Sequence, residues 1–233
     1  TSDPGTDSSP IWSPDGTRIV FRSDRAGGNF AYEKSATGSD PEKRLGATEV
    51  TVPTDWSPDG RFILYHMPSS GGTASFDLML LPQPVGGAPV GFAQTQFTEI
   101  NGRFSPDGRR IAYASDESGR MEVYVGAFPR AGDGTQVSTG GGSEPRWRKD
   151  GQELFYLALD GKLMAVPVRI APAFESDAPR ALFQTHTAFV GSPYRTNYEA
   201  SGDGRRFLVN ALGENSAPSP ITVVLNWTMG LKK

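Results

Sequence analysis

A five-residue motif comes back along the chain, and that return limits what the chain can fold into more than any other feature. Trp12-Ser13-Pro14-Asp15-Gly16 reappears as Trp56-Ser57-Pro58-Asp59-Gly60 and as Phe104-Ser105-Pro106-Asp107-Gly108. Two degraded copies follow, Trp147-Arg148-Lys149-Asp150-Gly151 and Ala200-Ser201-Gly202-Asp203-Gly204. Measured from Asp to Asp, the spacings are 44, 48, 43 and 53 residues. A period in this range marks a stack of identical supersecondary units. Each Asp-Gly is followed by a short β-branched or aromatic run: Ile19-Val20-Phe21, Ile63-Leu64-Tyr65, Ile111-Ala112-Tyr113, Leu154-Phe155-Tyr156 and Phe207-Leu208-Val209. Such a run after an Asp-Gly pair is the return strand of a hairpin.

Third strands are expected over 122–128, 162–168 and 221–227, and short fourth strands over 136–138 and 181–184. Four strands of about 5–6 residues with loops of about 4–6 fill such a period. No helical periodicity persists beyond a turn or two. A lone four-stranded sheet cannot bury both faces, whereas several stacked around an axis can. The expected fold class is therefore all-β, a β-propeller of four-stranded antiparallel blades. The approximate repeats are 8–50, 51–98, 99–142, 143–190 and 191–233, within one domain spanning 1–233. Five blades could close a ring, or form the C-terminal part of a larger propeller. A fourth strand for the fifth repeat would have to come from the segment before Trp12, or be missing. The motif tryptophans Trp12, Trp56 and Trp147 are expected between blades, as core.

Composition narrows the function classes. Among 233 residues, 28 Gly and 19 Pro suit a turn-rich fold. The net charge of −3 gives no electrostatic footprint for nucleic acid. No apolar run approaches the roughly 18 residues of a membrane span. The chain starts at Thr1 without a signal-peptide pattern and is read as a processed product or an excised piece of a longer protein. With no cysteine there is no disulfide framework or thiolate metal site. The two histidines, His66 and His186, are too few for a three-histidine zinc site. A Ser-His-Asp triad would need one of them, yet no Gly-x-Ser-x-Gly elbow exists. The Gly140-Gly141-Gly142-Ser143 stretch lacks the lysine of a phosphate loop. No cofactor is expected.

The Trp-Ser-Pro-Asp-Gly…Ile-x-Tyr pattern resembles the WD40-like repeat of TolB-type propellers, known as PD40. The loops Ser23-Asp24-Arg25-Ala26-Gly27 and Ser115-Asp116-Glu117-Ser118-Gly119 are similar to that family's loop between second and third strands. The Gly-His and Trp-Asp dipeptides of true WD40 repeats are absent. The tail Ser219-Pro220-Ile221-Thr222-Val223-Val224-Leu225-Asn226-Trp227 resembles the end of the propeller region that follows the kinase domain in bacterial membrane-anchored Ser/Thr kinases. That resemblance implies an extracytoplasmic sensor or protein-interaction module, joined upstream to a membrane span and a kinase domain, with no phosphotransfer of its own. A free-standing TolB-like periplasmic scaffold is the alternative. The ligand or partner is unspecified, with neither nucleic acid nor membrane insertion expected.

Two sets of charged residues are candidates for function. Asp15, Asp59, Asp107, Asp150 and Asp203 recur with the architecture, and a turn role explains them better than a site. One residue before each motif aromatic stand Ile11, Asp55, Arg103, Arg146 and Glu199. Strand alternation places this position opposite the aromatic, near a central channel. Neighbouring blades would bring Asp55 towards Arg103 and Arg146 towards Glu199, with Glu144 nearby. Structural ion pairing is favoured over a ligand site there. A glycan-cleaving enzyme would need two of the carboxylates Asp55, Glu144 and Glu199, one with a raised pKa. The adjacent arginines should depress them instead.

Overall fold

Each Asp-Gly pair forms the tip of a hairpin whose bonding is the same from copy to copy. Asp15 accepts from the Ser13 hydroxyl (2.6 Å) and the Thr17 N–H (3.0 Å), and the Ser13 Oγ accepts from the Arg18 N–H (2.9 Å). Asp59, Asp107 and Asp203 take the same two donors from Ser57, Ser105 and Ser201 and from the amides two residues on. At the fourth copy Arg148 replaces the serine, and its Nε donates to Asp150 at 2.8 Å. The glycine then turns with φ of 66–75° in all five, the left-handed region where a Cβ is penalised.

The computed structural model describes residues 3–49, 52–70, 75–84, 87–170, 173–187, 190–212 and 222–225. The first sheet runs β1 (Asp7–Trp12), β2 (Arg18–Ser23), β3 (Phe30–Ser35), β4 (Lys43–Glu49). The second is β5 (Val52–Trp56), β6 (Phe62–Pro68), β7 (Phe76–Pro82), β8 (Val90–Ala93), and the third β9 (Glu99–Phe104), β10 (Arg110–Ser115), β11 (Glu122–Ala127), β12 (Thr135–Gln136). In the fourth, β13 (Ser143–Trp147) and β14 (Glu153–Leu157) lead to a long β15 (Lys162–Arg169). Its outer edge is shared by β16 (Glu175–Ser176) and β17 (Arg180–Gln184). The fifth holds β18 (Tyr198–Ala200), β19 (Arg206–Val209) and β20 (Thr222–Leu225). Among the described strands all pairings are antiparallel and, β15 with β17 apart, follow chain order, the blade pattern of a β-propeller.

The second strands of the inner sheets are apolar on both faces because each of those sheets is covered twice. Ile63, Leu64 and Tyr65 of β6 are each 0% exposed. Four clusters fill the gaps between successive sheets. Val20 and Leu45 meet Trp56 and Tyr65; Leu64 and Phe92 meet Phe104 and Tyr113. Val125 and Val137 meet Leu154 and Tyr156; Phe155 and Leu163 meet Tyr198 and Phe207. Each such side chain contributes about 1.5–3 kcal/mol on burial.

In the first three interfaces the motif aromatic packs back onto the preceding blade, and in the fourth Ala200 stands in its place. Trp56 and Phe104 are therefore 4% and 5% exposed, and Trp147 lies against the third sheet. Trp12 departs from its expected core role: it is 59% exposed, since among the described residues no blade packs in front of the first. The opposite end shows the same condition. Leu208 of β19 holds the position of Val20, Leu64, Ala112 and Phe155, all fully buried, yet it is 46% exposed. Among the described residues no cluster joins the first sheet to the fifth. The segment before Trp12, a possible fourth strand for the fifth repeat, is instead β1 of the first sheet. Of the tail 219–227, only Thr222–Leu225 lies within the described residues, as β20.

Candidate functional site

The innermost strands β1, β5, β9, β13 and β18 face one another around the axis. The first four are bulged, with register shifts between Ser8 and Ile11, Pro53 and Asp55, Ile100 and Arg103, and Ser143 and Arg146. Three non-glycine residues at equivalent bulge positions, Ser9, Asn101 and Glu144, have φ of 52–58°. Left-handed backbone at such residues persists only where the surroundings hold it. The bonds that hold two of them run to the next blade. The Asn101 side-chain amide donates to Ser143 Oγ (3.2 Å). Glu144 accepts from the Asn197 backbone N–H (2.7 Å) and side-chain amide (2.6 Å), and Tyr198 OH donates to the Glu144 carbonyl (2.9 Å).

Just beyond each bulge stand the charged candidates. Asp55 Oδ2 accepts from the Phe104 N–H at 2.8 Å, tying the second blade to the third. Its other oxygen is 3.9 Å from Arg103 Nη1. Arg146 Nε donates to Glu199 at 3.0 Å, its Nη1 donates to the Pro145 carbonyl, and its guanidinium lies 5.4 Å from the Tyr198 ring centre. The structure thus brings together Asp55 with Arg103 and Arg146 with Glu199. Glu144 turns to Asn197 instead, and Ile11 is buried against the second blade. Protein surrounds these groups, yet side-chain exposures of 27% for Asp55, 20% for Arg103 and 54% for Glu199 show that solvent reaches them along the channel.

The two pairs differ in how well they are matched. Burial pushes the Glu199 carboxyl up, but Arg146 and Arg103 outweigh it and hold it below its usual value. Arg146 is held above its ordinary value by Glu199, Tyr198 and Glu144 despite its burial. In the other pair desolvation wins on both sides. The Asp55 carboxyl is raised, and Arg103 is lowered by burial and by Arg146 beside it. Arg103 Nε is buried with no hydrogen-bond partner. Burial also raises the Glu144 carboxyl, despite the Asn197 amides and Arg146.

His66 and the lead-in to the fifth blade carry no signal in the sequence. His66 is 0% exposed; its Nδ1 accepts from the Asn101 N–H (3.4 Å), so Nε2 carries the proton and donates to the Pro193 carbonyl (2.6 Å). Burial lowers its pKa to about 4, keeping the ring neutral. Tyr194 follows, 52% exposed and edge-on to Phe76 at 5.8 Å. The lead-in thereby reaches the second blade and borders an open cavity of about 560 Å³ with Met67, Arg22 and Glu49. A single histidine outside any repeat motif gives no hint of a partner 127 residues away.

Chemically, the channel is a set of engaged acids and one loosely held arginine. Among the described residues no three His, Asp or Glu side chains are grouped to hold a metal ion.

No family model and no curated protein matches the chain. Solved structures do. TolB from Acinetobacter baumannii aligns with a TM-score of 0.66 at 15% identity, covering 91% of this chain and 50% of that one. The periplasmic gluconolactonase PpgL of Pseudomonas aeruginosa aligns at 0.59 and 17%, covering 90% and 65%. The Cps50 (Swd1) β-propeller domain of Myceliophteria thermophila aligns at 0.60 and 12%, covering 88% and 65%. The chain thus spans about half of that TolB chain and about two thirds of the other two. At these identities the likeness shows the fold alone, a β-propeller. One neighbour is named an enzyme, so the fold by itself does not decide between binding and catalysis.

Proposed function

We propose that the chain is a non-catalytic recognition propeller whose channel receives an anionic group of its ligand or protein partner at Arg103. The observation that carries this reading is the state of the channel charges. Asp55, Glu144 and Glu199 each accept a hydrogen bond from a neighbouring blade, whereas Arg103 meets Asp55 only at 3.9 Å and leaves Nε without a partner. A carboxylate or phosphate would supply the bidentate acceptor a guanidinium fork favours. Glycan cleavage calls for two working carboxylates about 5–10 Å apart, with one held protonated near neutral pH. Acids engaged in binding adjacent blades fit that role poorly.

Within this reading the module would be the extracytoplasmic sensor or interaction region of a receptor-type Ser/Thr kinase, which the resemblance of the tail 219–227 supports. A free-standing periplasmic scaffold is supported equally by the likeness to TolB. Extending the native coding sequence upstream of Thr1 separates the two. A kinase domain and an apolar span of about 20 residues support the receptor; a bare signal peptide supports the scaffold. Recognition itself is tested by affinity capture from extracytoplasmic extracts with the wild-type chain and Arg103→Leu. Capture of a partner that the variant loses supports the site. Turnover of a lactone or glycan panel that is abolished in Asp55→Asn or Glu199→Gln would overturn the non-catalytic reading.

A further inference from the structure

The first and third blades correspond residue for residue at an offset of 92, because Asp7 pairs with Ser23 as Glu99 pairs with Ser115, and Trp12 with Ile19 as Phe104 with Ile111. Phe21 stacks on Tyr32 at 6.1 Å and 25°; Tyr113 stacks on Tyr124 at 5.9 Å and 27°. The Thr6 N–H binds Asp24 as the Thr98 N–H binds Asp116. The two cups therefore have the same frame.

In the first blade that cup holds a cation. Arg25 donates from Nη2 to both oxygens of Asp7 (2.9 and 3.0 Å) and from Nη1 to Glu42 (3.1 Å). Its guanidinium lies 4.6 Å from the Tyr32 ring centre and 5.6 Å from that of Phe21. In the third blade the position of Arg25 is Glu117, while the acid and the paired rings are kept. Glu99, in the place of Asp7, is 1% exposed. One of its oxygens takes the Thr95 hydroxyl, and the other, Oε2, is buried with no hydrogen-bond partner. Asp77 of the second blade, 7% exposed, adds a second buried oxygen, Oδ1, in the same condition.

The charges acting on these acids are all negative: Asp77 and Glu117 on Glu99, and Asp133 on Glu117. A buried carboxylate without a counter-charge is expensive. Burial with those neighbours pushes Glu99 up to about 7, so near neutral pH a proton supplies part of the missing charge. Glu117 and Asp133 are exposed and give the cup a negative rim.

We propose that this cup at the junction of the second and third blades is a docking site for a basic side chain of a partner protein, an arginine or a lysine, seated where Arg25 sits in the first blade. None of its residues belongs to the channel set, so it stands apart from the recognition site at Arg103. A guanidinium or ammonium fits the donor set better than a metal ion. The paired tyrosine rings offer a face that attracts an organic cation, and no three-ligand metal group exists among the described residues.

The test is a titration of the full chain with the peptide acetyl-Gly-Arg-Gly-amide, followed by calorimetry or by chemical-shift changes. The same peptide with citrulline in place of arginine is the control. Saturable binding of the arginine peptide alone is expected, at least tenfold weaker for Glu99→Gln and for Glu117→Arg, which fills the cup from within. Protonation of Glu99 competes with the cation; the other titratable groups at the cup are Asp77, Glu117, Asp133, Tyr113 and Tyr124, and burial raises both tyrosines further from this pH range. Affinity should therefore be about tenfold higher at pH 8 than at pH 6. Glu99→Gln is nearly isosteric, so its result stands even if Glu117→Arg fails to fold. No saturable binding at pH 8, equal binding of the citrulline peptide, or unchanged affinity in a folded Glu99→Gln variant each overturns the proposal.

Discussion

The first and third blades share strand register, turn and cup, yet three equivalent positions differ in what surrounds them. Trp12 is 59% exposed where Phe104 is 5%. Ile11 is apolar where Arg103 enters the channel charges. Arg25 gathers acids where Glu117 repels them. The repeat fixes the backbone, and the adjoining blade decides what each side chain is worth. A blade at the end of the stack carries the same motif with little to press it against.

Truncating the motif aromatic should give the largest difference. Phe104→Ala removes a ring packed between the second and third blades and should cost about 3–5 kcal/mol. Trp12→Ala should stay within about 1 kcal/mol, as exposed substitutions do. Urea midpoints of the two variants check this, and similar losses would mean that Trp12 is covered in solution. Next is the conversion of one cup into the other. Arg25→Glu removes the guanidinium that bridges Asp7 and Glu42, leaving Lys34 on Glu42, and should cost about 3 kcal/mol, the scale for losing one partner of a mostly buried pair. A loss below about 1 kcal/mol would class the Arg25 pairs with ordinary surface ion pairs.

Much of this contrast is legible in the amino-acid sequence alone. The turn acids, the hairpins and the swap of Arg25 for Glu117 in matching loops are local patterns. So are the channel partners Asp55 with Arg103 and Arg146 with Glu199, because identical blades place identical positions side by side. What is not legible depends on contacts between blades outside the period. The exposure of Trp12 depends on whether another blade lies in front of it. The burial of Glu99 depends on Asp77, which sits outside the repeated motif. His66 acquires its role from Pro193, in a lead-in with no counterpart elsewhere. The β16–β17 edge departs from the pattern because β15 is eight residues long and leaves room for two short partners.

Smaller again is the effect of pH on the third-blade cup. Glu99 is raised from about 4.5 to about 7 in the folded chain. A raised acid carries no penalty below its unfolded pKa, and the penalty grows as pH rises from about 4.5 to about 7 before levelling off. Glu99→Gln should therefore leave stability unchanged at pH 4 and raise it by about 2–3 kcal/mol at pH 8. Stability curves against pH decide this, and a variant less stable than wild type at pH 8 would mean that the Glu99 charge is compensated in solution.

The smallest effect should come from the turn the two blades share. Asp15 is exposed, but the Ser13 hydroxyl, the Thr17 N–H and the Thr17 hydroxyl hold its pKa down at about 2. A depressed acid stabilises the fold above its unfolded pKa, and that contribution fades as pH falls through the folded value. Asp15→Asn keeps an oxygen to accept the same bonds and removes only the charge. Wild type should exceed the variant by a small, constant margin above about pH 4, and the margin should vanish towards pH 2. Denaturant midpoints across that range measure it. A margin that survives at pH 2 would mean that the amide itself fits the turn badly. No margin at any pH would mean that backbone geometry, with Gly16 at φ 69°, holds the hairpin without help from the charge, so that the feature most repeated in the sequence would contribute least through electrostatics.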